Sequence, residues 1–308
     1  MSASRIVVVG STNTDMIFRS PRIPDAGETL LGAMFAMAAG GKGANQAVAA
    51  ARLGGNVTFV ARVGADDLGR ASIQGFQKDG IDTRYIVIDQ SASSGVAAIL
   101  VDQESGQNRI IVASGANARL TIDDVRAATD AIREASVVVC QLETPLDVVE
   151  EALTIAHRHG VPTILNPAPA QSLPARLFPL ITYLTPNEIE AAQLVGGVWK
   201  AEDASAAYAD LADKLRSRGV DAVIVTLGAD GCFVLDNSGS EHIPGRRVDK
   251  IVDTTAAGDC FTGALAVRLG EGAPLPIAID FANRAAALSV GRAGAQPSLP
   301  YRAELEAR

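Results

Sequence analysis

The chain has 308 residues, of which 48% are hydrophobic and 20% charged, a composition that excludes an intrinsically disordered protein and allows a sizeable buried core. With 27 Lys and Arg against 35 Asp and Glu, the formal net charge of −8 disfavours non-specific binding to nucleic acid or to anionic membranes. No apolar run reaches the roughly 18–20 residues of a membrane span, and the 3 widely spaced cysteines do not suit a disulfide framework, so we expect a cytoplasmic protein.

Short β-branched runs alternate with helical patterns along most of the chain. The predicted strands are residues 5–9, 57–60, 136–140, 161–165, 181–184, 221–226 and 232–235. The predicted helices are residues 43–53, 66–79, 121–134, 145–159, 187–195, 202–218, 257–270 and 274–291. Near-continuous apolar strands between amphipathic helices indicate an α/β domain over residues 1–308, a three-layer α/β/α sandwich with a mostly parallel central sheet.

Several predicted helix ends carry recognisable signals. Thr121 with Asp124 three residues later resembles a capping box. Thr144 is placed as a cap before Pro145 at the first helical position, and Gly219 lies just past a helix end.

Two regions, residues 11–38 and 91–114, break the alternation. They contain strand-like stretches at residues 15–18, 29–31, 95–101 and 109–112, and the polar connection 102–106 between the last two suits a hairpin. We interpret them as a small β-sheet that projects from the main domain and covers a site as a lid. The alternative is an edge extension with no role beyond packing.

The most informative motif is Asp253-Thr-Thr-Ala-Ala-Gly-Asp259, which leads into an apolar helix. The first N–H groups of a helix lack partners and carry positive partial charge, and small residues leave them open to a phosphate. Asp259 in that first turn suits a group that accepts a proton from an attacking hydroxyl. The alternative is a carboxylate that only stabilises the helix start.

A second glycine-rich motif, Gly40-Gly-Lys-Gly-Ala-Asn45, also leads into a helix. Its glycines allow a ligand to lie against the backbone, and Asn45 can hydrogen-bond a hydroxyl; a helix with a flexible start is the alternative. Lys42 is followed by Gly43 rather than Ser or Thr, so the motif is not a P-loop.

Three further motifs follow strands. Asn13 and Asp15 come after the first strand, where ligands bind in parallel sheets, and can hold vicinal hydroxyls, although an Asx-rich turn also explains them. Asn187 and Glu190 share a helix face and suit Mg²⁺ held through water, with helix capping as the alternative. Residues 226–231 can border a nucleotide or form a plain hairpin loop.

Together these motifs resemble the PfkB carbohydrate kinases over essentially the whole chain. The resemblance includes Asn166-Pro-Ala-Pro-Ala170, Thr185-Pro-Asn-Glu188 and Gly294-Ala-Gln-Pro-Ser298 besides the two glycine-rich motifs, and Asn13, Asp15 and Glu143 point to the ribose-phosphorylating members. It implies an α/β domain with a β-sheet lid, a homodimer formed through the lids, and ATP-dependent phosphorylation of the 5-hydroxyl of D-ribose.

The resemblance also implies the site residues. The sugar site would be lined by Asn13, Asp15, Gly41, Lys42, Asn45 and Glu143, with Asp259 as the base and the amides of Ala256, Ala257 and Gly258 as the anion hole. The nucleotide would be bordered by Asn187, Thr226, Gly228, Gly231, Gly258 and Asn283, with Glu190 organising Mg²⁺ through water. A monovalent cation, K⁺, would be held at Asp253, Thr255, Ser289, Arg292, Gly294 and Ser298.

The chain departs from the family pattern at two places. Cys260 and Thr262 stand where many members carry Thr and Asn, and Ala113-Ser114 precedes Gly115-Ala-Asn117 near the presumed lid. Other substrates of the same family, 2-deoxyribose, another sugar or a nucleoside, therefore remain open, and so does a non-catalytic sugar sensor. The low aromatic content of 4% favours a free sugar over a nucleoside, whose base usually needs an aromatic platform.

Overall fold

The computed structural model describes residues 4–105, 107–199 and 204–307. Its strands are β1 (Arg5–Val9), β2 (Asn13–Ser20), β3 (Met34–Gly40), β4 (Asn56–Gly64), β5 (Asp82–Asp89), β6 (Gly95–Asp102), β7 (Asn108–Ala113), β8 (Val137–Cys140), β9 (Thr163–Leu165), β10 (Tyr183–Leu184), β11 (Ala222–Thr226), β12 (Cys232–Asp236) and β13 (Gly239–Ile243). Its α-helices are α1 (Lys42–Arg52), α2 (Asp67–Lys78), α3 (Ile122–Ala127), α4 (Thr129–Arg133), α5 (Leu146–Arg158), α6 (Glu188–Leu194), α7 (Ala204–Arg216), α8 (Ala257–Gly270), α9 (Leu275–Ser289) and α10 (Arg302–Glu306).

The described strands form two sheets. The large sheet has the order β13-β12-β11-β10-β9-β8-β1-β4-β5 and is parallel except where β12 pairs antiparallel with β11 and β13. The small sheet has the order β3-β2-β6-β7. The predicted fold class, a mostly parallel central sheet with a small additional β-sheet, is therefore confirmed.

Two hydrophobic cores flank the large sheet, because successive side chains of a strand point to opposite faces. Ile6 and Val8 of β1 pack into the core formed with α1, α8 and α9, and Val7 and Val9 pack into the core formed with α5, α6 and α7. The run of valines in β1 is thus buried on both faces, as its sequence predicts. No helix within the described residues is long and apolar enough to cross a membrane.

Some local predictions were wrong. Residues 29–31 form no strand. The helix expected at 121–134 is two helices that meet at Ala128, although the capping box of Thr121 and Asp124 is confirmed. α5 begins at Leu146, so Pro145 takes the capping position and Thr144 Oγ1 is buried without a partner. Strands β5 and β13 were not predicted, since both carry polar residues at an edge of the sheet.

The small sheet lies over the carboxyl end of β1, because β2 begins at Asn13, four residues after β1 ends. The segments 11–38 and 91–114 contain β2 and most of β3, and β6 and β7, respectively. β3 leads directly into α1, so the two ends of the glycine-rich motif belong to different layers. This arrangement brings side chains of the large and the small sheet together at the carboxyl end of β1.

Candidate active site

The turn before α8 presents free backbone donors. Ala256 has φ 60° and ψ 12°, and among the described residues it is the one non-glycine residue with positive φ. This conformation costs about 1–2 kcal/mol for a residue with a Cβ. Within the described part of the chain no acceptor pairs with the amides of Ala256 and Gly258, whereas Ala257 N–H donates to Thr254 O at 3.2 Å. The amides of Ala256 and Gly258 are therefore free to donate to an anion at this helix start.

Asp259 lies in the first turn of α8 and is 6% exposed. Its Oδ2 accepts a hydrogen bond from Asn45 Nδ2 at 2.9 Å, and its Oδ1 accepts one from Gln46 Nε2 at 2.9 Å. Burial raises the pKa of Asp259, and the positive charge of Lys42 and the two amide donors act against that rise. The carboxylate therefore accepts from two fixed donors and keeps lone pairs for a hydroxyl.

Close packing of α1 on α8 places these donors. A Cβ on Gly263 would lie 2.6 Å from Gln46 O and 2.7 Å from Ala49 Cβ, so the helices approach this closely only with glycine there. Asn45 and Gln46 of α1 consequently reach a carboxylate more than two hundred positions later in the chain.

A second carboxylate, Glu143, joins the start of α1 to the loop after β8. Its Oε2 accepts hydrogen bonds from Lys42 N at 2.9 Å and from Ser11 Oγ. Asp15 of β2 is half-buried, and burial together with the charges of Glu143 and Asp259 raises its pKa to about 6. Three carboxylates thus surround one region, an arrangement that suits a ligand with several hydroxyl donors.

Asparagine side chains complete this region. Asn13 Oδ1 accepts a hydrogen bond from Asn117 Nδ2 at 2.7 Å, so the Asn13 amide nitrogen is the group left for a ligand. Asn117 also accepts from Thr12 N at 2.9 Å and donates to Thr12 O at 3.0 Å. Asn45 Oδ1 is buried without a partner. An orphaned buried acceptor of this kind is expected where a ligand hydroxyl donates.

Two cavities meet at the α8 turn. Cavity A, of about 230 Å³, is lined by Lys42, Asn166, Asn187, Glu190, Asp259 and Thr262 among others. Cavity B, of about 510 Å³, is lined by Gly228, Gly231, Arg246, Phe261, Asn283 and Val290 among others. Both are also lined by Thr226, Thr254, Ala257 and Gly258. A ligand in cavity B therefore has the open amides and Asp259 at its end.

Asn187 and Glu190 form a capping box at the start of α6. Glu190 N donates to Asn187 Oδ1 at 2.8 Å, and Asn187 N donates to Glu190 Oε2 at 2.9 Å. Capping and a cavity role coexist, because both residues line cavity A. Burial raises the pKa of Glu190, with Lys42 acting in the opposite direction. Asn187, which the family resemblance places beside the nucleotide, lines cavity A and does not line cavity B.

The residues expected to hold a monovalent cation lie in the loop before α8, at the end of α9 and in the segment that follows α9. Asp253 Oδ2 accepts from Gly294 N at 2.9 Å, and Asp253 Oδ1 accepts from Thr255 N at 2.9 Å and from Thr255 Oγ1. Burial alone would raise the pKa of Asp253, but these hydrogen bonds lower it. Ser289 Oγ and Ser298 Oγ donate to Ala286 O and Ala295 O, and the Arg292 side chain pairs with Glu304.

Within residues 4–105, 107–199 and 204–307 no cluster of three or more His, Cys, Asp or Glu side chains is arranged to hold a metal. Asp253 ties the loop of Thr255 to the loop of Gly294 through its two carboxylate oxygens.

The sequence interpretation missed several residues of the site. Gln46 directly follows the motif that ends at Asn45, and Asn166 begins the Asn166-Pro-Ala-Pro-Ala170 motif, yet neither has a role predicted from the sequence. Ser11 and Asn117 hold Glu143 and Asn13, and Thr254 lines both cavities. The loop with Arg246 and Arg247, which lines cavity B, carries no motif that indicates a site.

The chain matches the sequence model of the pfkB family of carbohydrate kinases over residues 3–302. It is 44% identical to the ribokinase of Haemophilus influenzae over 97% of this chain and 96% of that protein. It is 36% identical to a deoxyribokinase of Salmonella typhi over 96% of this chain and 95% of that protein. Its fold is similar to that of a ribokinase from Arabidopsis thaliana complexed with ribose and ATP, with a TM-score of 0.89, 34% identity and coverage of 99% and 98%.

Proposed function

This chain belongs to the pfkB family of carbohydrate kinases, and we propose that it acts as a ribokinase, transferring the γ-phosphoryl group of ATP to the 5-hydroxyl of D-ribose. The observation that carries the proposal is the α8 turn, where unpaired amides lie beside the buried carboxylate of Asp259 at the junction of two cavities. Relatives named ribokinase are 40–44% identical to this chain over 97–98% of its length.

Ribose would bind between the small sheet and the start of α1. Asp15 and Glu143 would accept from its hydroxyls, Asn13 would donate through its amide nitrogen, and Asn45 Oδ1 would accept from a further hydroxyl. Gly41 has φ 89°, and a Cβ there would lie 2.6 Å from Asn13 N. Glycine at that position therefore lets the backbone of the motif lie against the sugar side of β2.

Asp259 would hydrogen-bond the 5-hydroxyl and accept its proton as the oxygen attacks the γ-phosphorus. The bond from that oxygen to phosphorus forms while the bond from phosphorus to the bridging oxygen of ADP breaks. The unpaired amides of Ala256 and Gly258 would stabilise charge on the phosphoryl oxygens. The amide of Ala257, between them, donates to Thr254 O. Lys42, which lines cavity A, would add a positive charge there.

ATP would lie in cavity B with its γ-phosphate at the α8 turn. Thr226, Gly228, Gly231 and Asn283 line that cavity, and Gly258 lies at its junction with cavity A. Glu190 and Asn187 on cavity A offer a carboxylate and an amide to water molecules around Mg²⁺. Bound Mg²⁺ would neutralise charge on the β- and γ-phosphates.

A monovalent cation at Asp253, Thr255, Ser289, Arg292, Gly294 and Ser298 would hold the two loops that support the α8 turn. We expect phosphorylation of ribose to be faster in KCl than in NaCl or Tris at equal ionic strength. Bound K⁺ would act by holding the loops that support the α8 turn, and it would not contact the substrate. Initial rates at saturating ribose and MgATP measure this effect. Equal rates in the three media would reject the cation site.

The outer face of the small sheet supports a homodimer through the lid. Phe18 pairs across the strands with Phe35, and Phe35, Met37 and Ile111 are 56%, 50% and 68% exposed. By strand register these side chains share the face opposite to Asp15. A contiguous exposed apolar face is typical of a protein interface.

We therefore expect Met37→Glu combined with Ile111→Glu to convert a dimer to a monomer, as measured by light scattering coupled to size-exclusion chromatography. The matched control is Ile189→Glu on α6 in the main domain, where Ile189 is 55% exposed. This variant should leave the dimer intact. A wild-type chain that elutes as a monomer would contradict the interface.

The activity is tested by ADP release with ribose, 2-deoxyribose, fructose and adenosine. The highest kcat/KM is expected with ribose. A preference for 2-deoxyribose, fructose or adenosine would assign another substrate of the same family. Tight ribose binding without turnover of any of these would instead indicate a sugar sensor.

The cysteines of the described residues are free and buried, which supports a reaction in the reducing cytoplasm.

A further inference from the structure

A buried chain of amide side chains reaches Asp259 from the side away from the solvent. Gln141 Nε2 donates to Gln46 Oε1 at 2.7 Å, and Gln46 Nε2 donates to Asp259 Oδ1 at 2.9 Å and to Asn166 Oδ1 at 3.2 Å. Asn166 Nδ2 in turn donates to Thr185 O at 2.9 Å. Gln46 and Gln141 are fully buried, so neither amide can exchange these partners for water.

The partners fix the orientation of the Gln46 amide. If the Gln46 amide were flipped, Gln46 Oε1 would face the Asp259 carboxylate. Gln46 Nε2 would then face Gln141 Nε2, so two donors would meet. Both hydrogen bonds would be lost in a place where unpaired polar groups are costly. Asn166 Oδ1 also faces Gln46 Nε2, and its own orientation is fixed because Asn166 Nδ2 donates to Thr185 O. Gln141 and Asn166 together therefore hold Gln46 as a donor to Asp259.

We propose that Gln46, held in place by Gln141, is a positioning residue that orients the Asp259 carboxylate toward the sugar hydroxyl and keeps it ionised. The inference rests on the proposed role of Asp259 as the base. Gln46 does not touch the substrate in this account. It acts only through the carboxylate.

Electrostatics explains why a donor is needed at this point. The charged groups around Asp259 are Lys42 at the start of α1, Asp15 of β2, Glu143 after β8 and Glu190 of α6. Burial and the neighbouring carboxylates favour a neutral Asp259, and only Lys42 among these groups favours the charged form. A neutral carboxyl cannot accept the proton of the hydroxyl. The hydrogen bonds from Asn45 and Gln46 therefore favour the ionised form and oppose the effect of burial.

The test is the single-turnover rate of phosphoryl transfer as a function of pH, at saturating ribose and MgATP. Gln46→Met keeps the volume of the side chain and removes the donor. We expect a rate 10- to 100-fold lower at pH 7, with the acid limb of the profile about one pH unit higher and KM values within about threefold. A hydrogen bond made only to the ionised carboxylate changes its ionisation constant by roughly tenfold or more.

Gln141→Leu provides a second variant, because Gln141 does not contact Asp259. We expect the acid limb to shift in the same direction but by less. Combining Gln141→Leu with Gln46→Met should add no shift to that of Gln46→Met alone. Thr163→Val is the matched control, since Thr163 Oγ1 donates to Leu180 O at 2.7 Å inside the same sheet, away from the site. It should lower the melting temperature and leave the pH profile unchanged.

An unshifted acid limb in both glutamine variants, whatever their melting temperatures, would overturn the proposal. Asp259→Asn separates this result from a failure of the proposed base. If Asp259→Asn abolishes turnover while the glutamine variants keep the wild-type profile, only the role of Gln46 is rejected. If Asp259→Asn remains active, the base is rejected and Gln46 loses its proposed function with it.

Discussion

Replacing Asp259 by Asn is expected to lower kcat by about 10²-fold or more, because a proton-accepting group in the transition state typically contributes 10²- to 10⁴-fold. Ribose and ATP should still bind, since the open amides of the α8 turn and the other sugar contacts remain. Each carboxylate oxygen accepts from an amide, so the new NH₂ group also faces Asn45 or Gln46 and lowers stability. Turnover by rapid quench and binding by calorimetry check the two parts separately.

Asp79→Asn is the control for this variant. Asp79 pairs with Arg52 at 2.9 Å at the other end of α1, and its side chain is only 13% exposed. The substitution removes a comparable charge from a structural ion pair and should leave kcat within about twofold. Near-normal turnover in Asp259→Asn, with normal binding, would remove Asp259 from the chemical step.

Replacing Asp15 by Asn is expected to lower kcat/KM for ribose about 10- to 100-fold and to change kcat much less. A hydrogen bond to a charged acceptor contributes about 1.5–3 kcal/mol, and Asp15 is proposed to act in binding rather than in proton transfer. The effect should appear as a raised KM for ribose in initial-rate measurements, with the KM for MgATP unchanged.

The pH dependence of the wild type should show the same group. Burial with the charges of Glu143 and Asp259 raises the pKa of Asp15 to about 6, and only the ionised form accepts hydroxyl hydrogen bonds at both oxygens. kcat/KM for ribose should therefore fall as the pH drops below about 6. In Asp15→Asn the contribution of Asp15 to this fall should be absent, and only the fall caused by protonation of Asp259 should remain. Asp102→Asn, at the far end of the small sheet, is the control. An unchanged KM in Asp15→Asn would contradict the sugar site.

The local signals of this sequence predicted the main elements well. The valine run of β1 and the small residues at the start of α8 both have one dominant physical use, burial on two faces and exposure of amides. Edge strands are different. β5 and β13 include Asp82, Arg84 and Glu241 because one side of an edge strand meets solvent, and such a pattern is not distinctive in sequence.

The support of the site could not be predicted, because it depends on tertiary contacts. Gln46 and Asp259 are separated by 213 positions, and Asn117 reaches Asn13 across 104 positions. The glycine-rich motif that precedes Gln46 indicates a ligand at its glycines, but nothing local shows which neighbour the Gln46 amide contacts. That information arises where α1, α8 and the loop after β8 pack together.

Transfer of a phosphoryl group to the 5-hydroxyl of ribose at the α8 turn determines which carbon of the product carries the phosphate. Phosphorus and proton NMR of the product that the protein makes from ATP and D-ribose identifies that carbon. We predict a phosphomonoester whose phosphorus couples to the two protons on carbon 5, formed by the wild type and not detectably by Asp259→Asn over the same time. A phosphate on carbon 1, or the same product made at an equal rate by Asp259→Asn, would contradict the account.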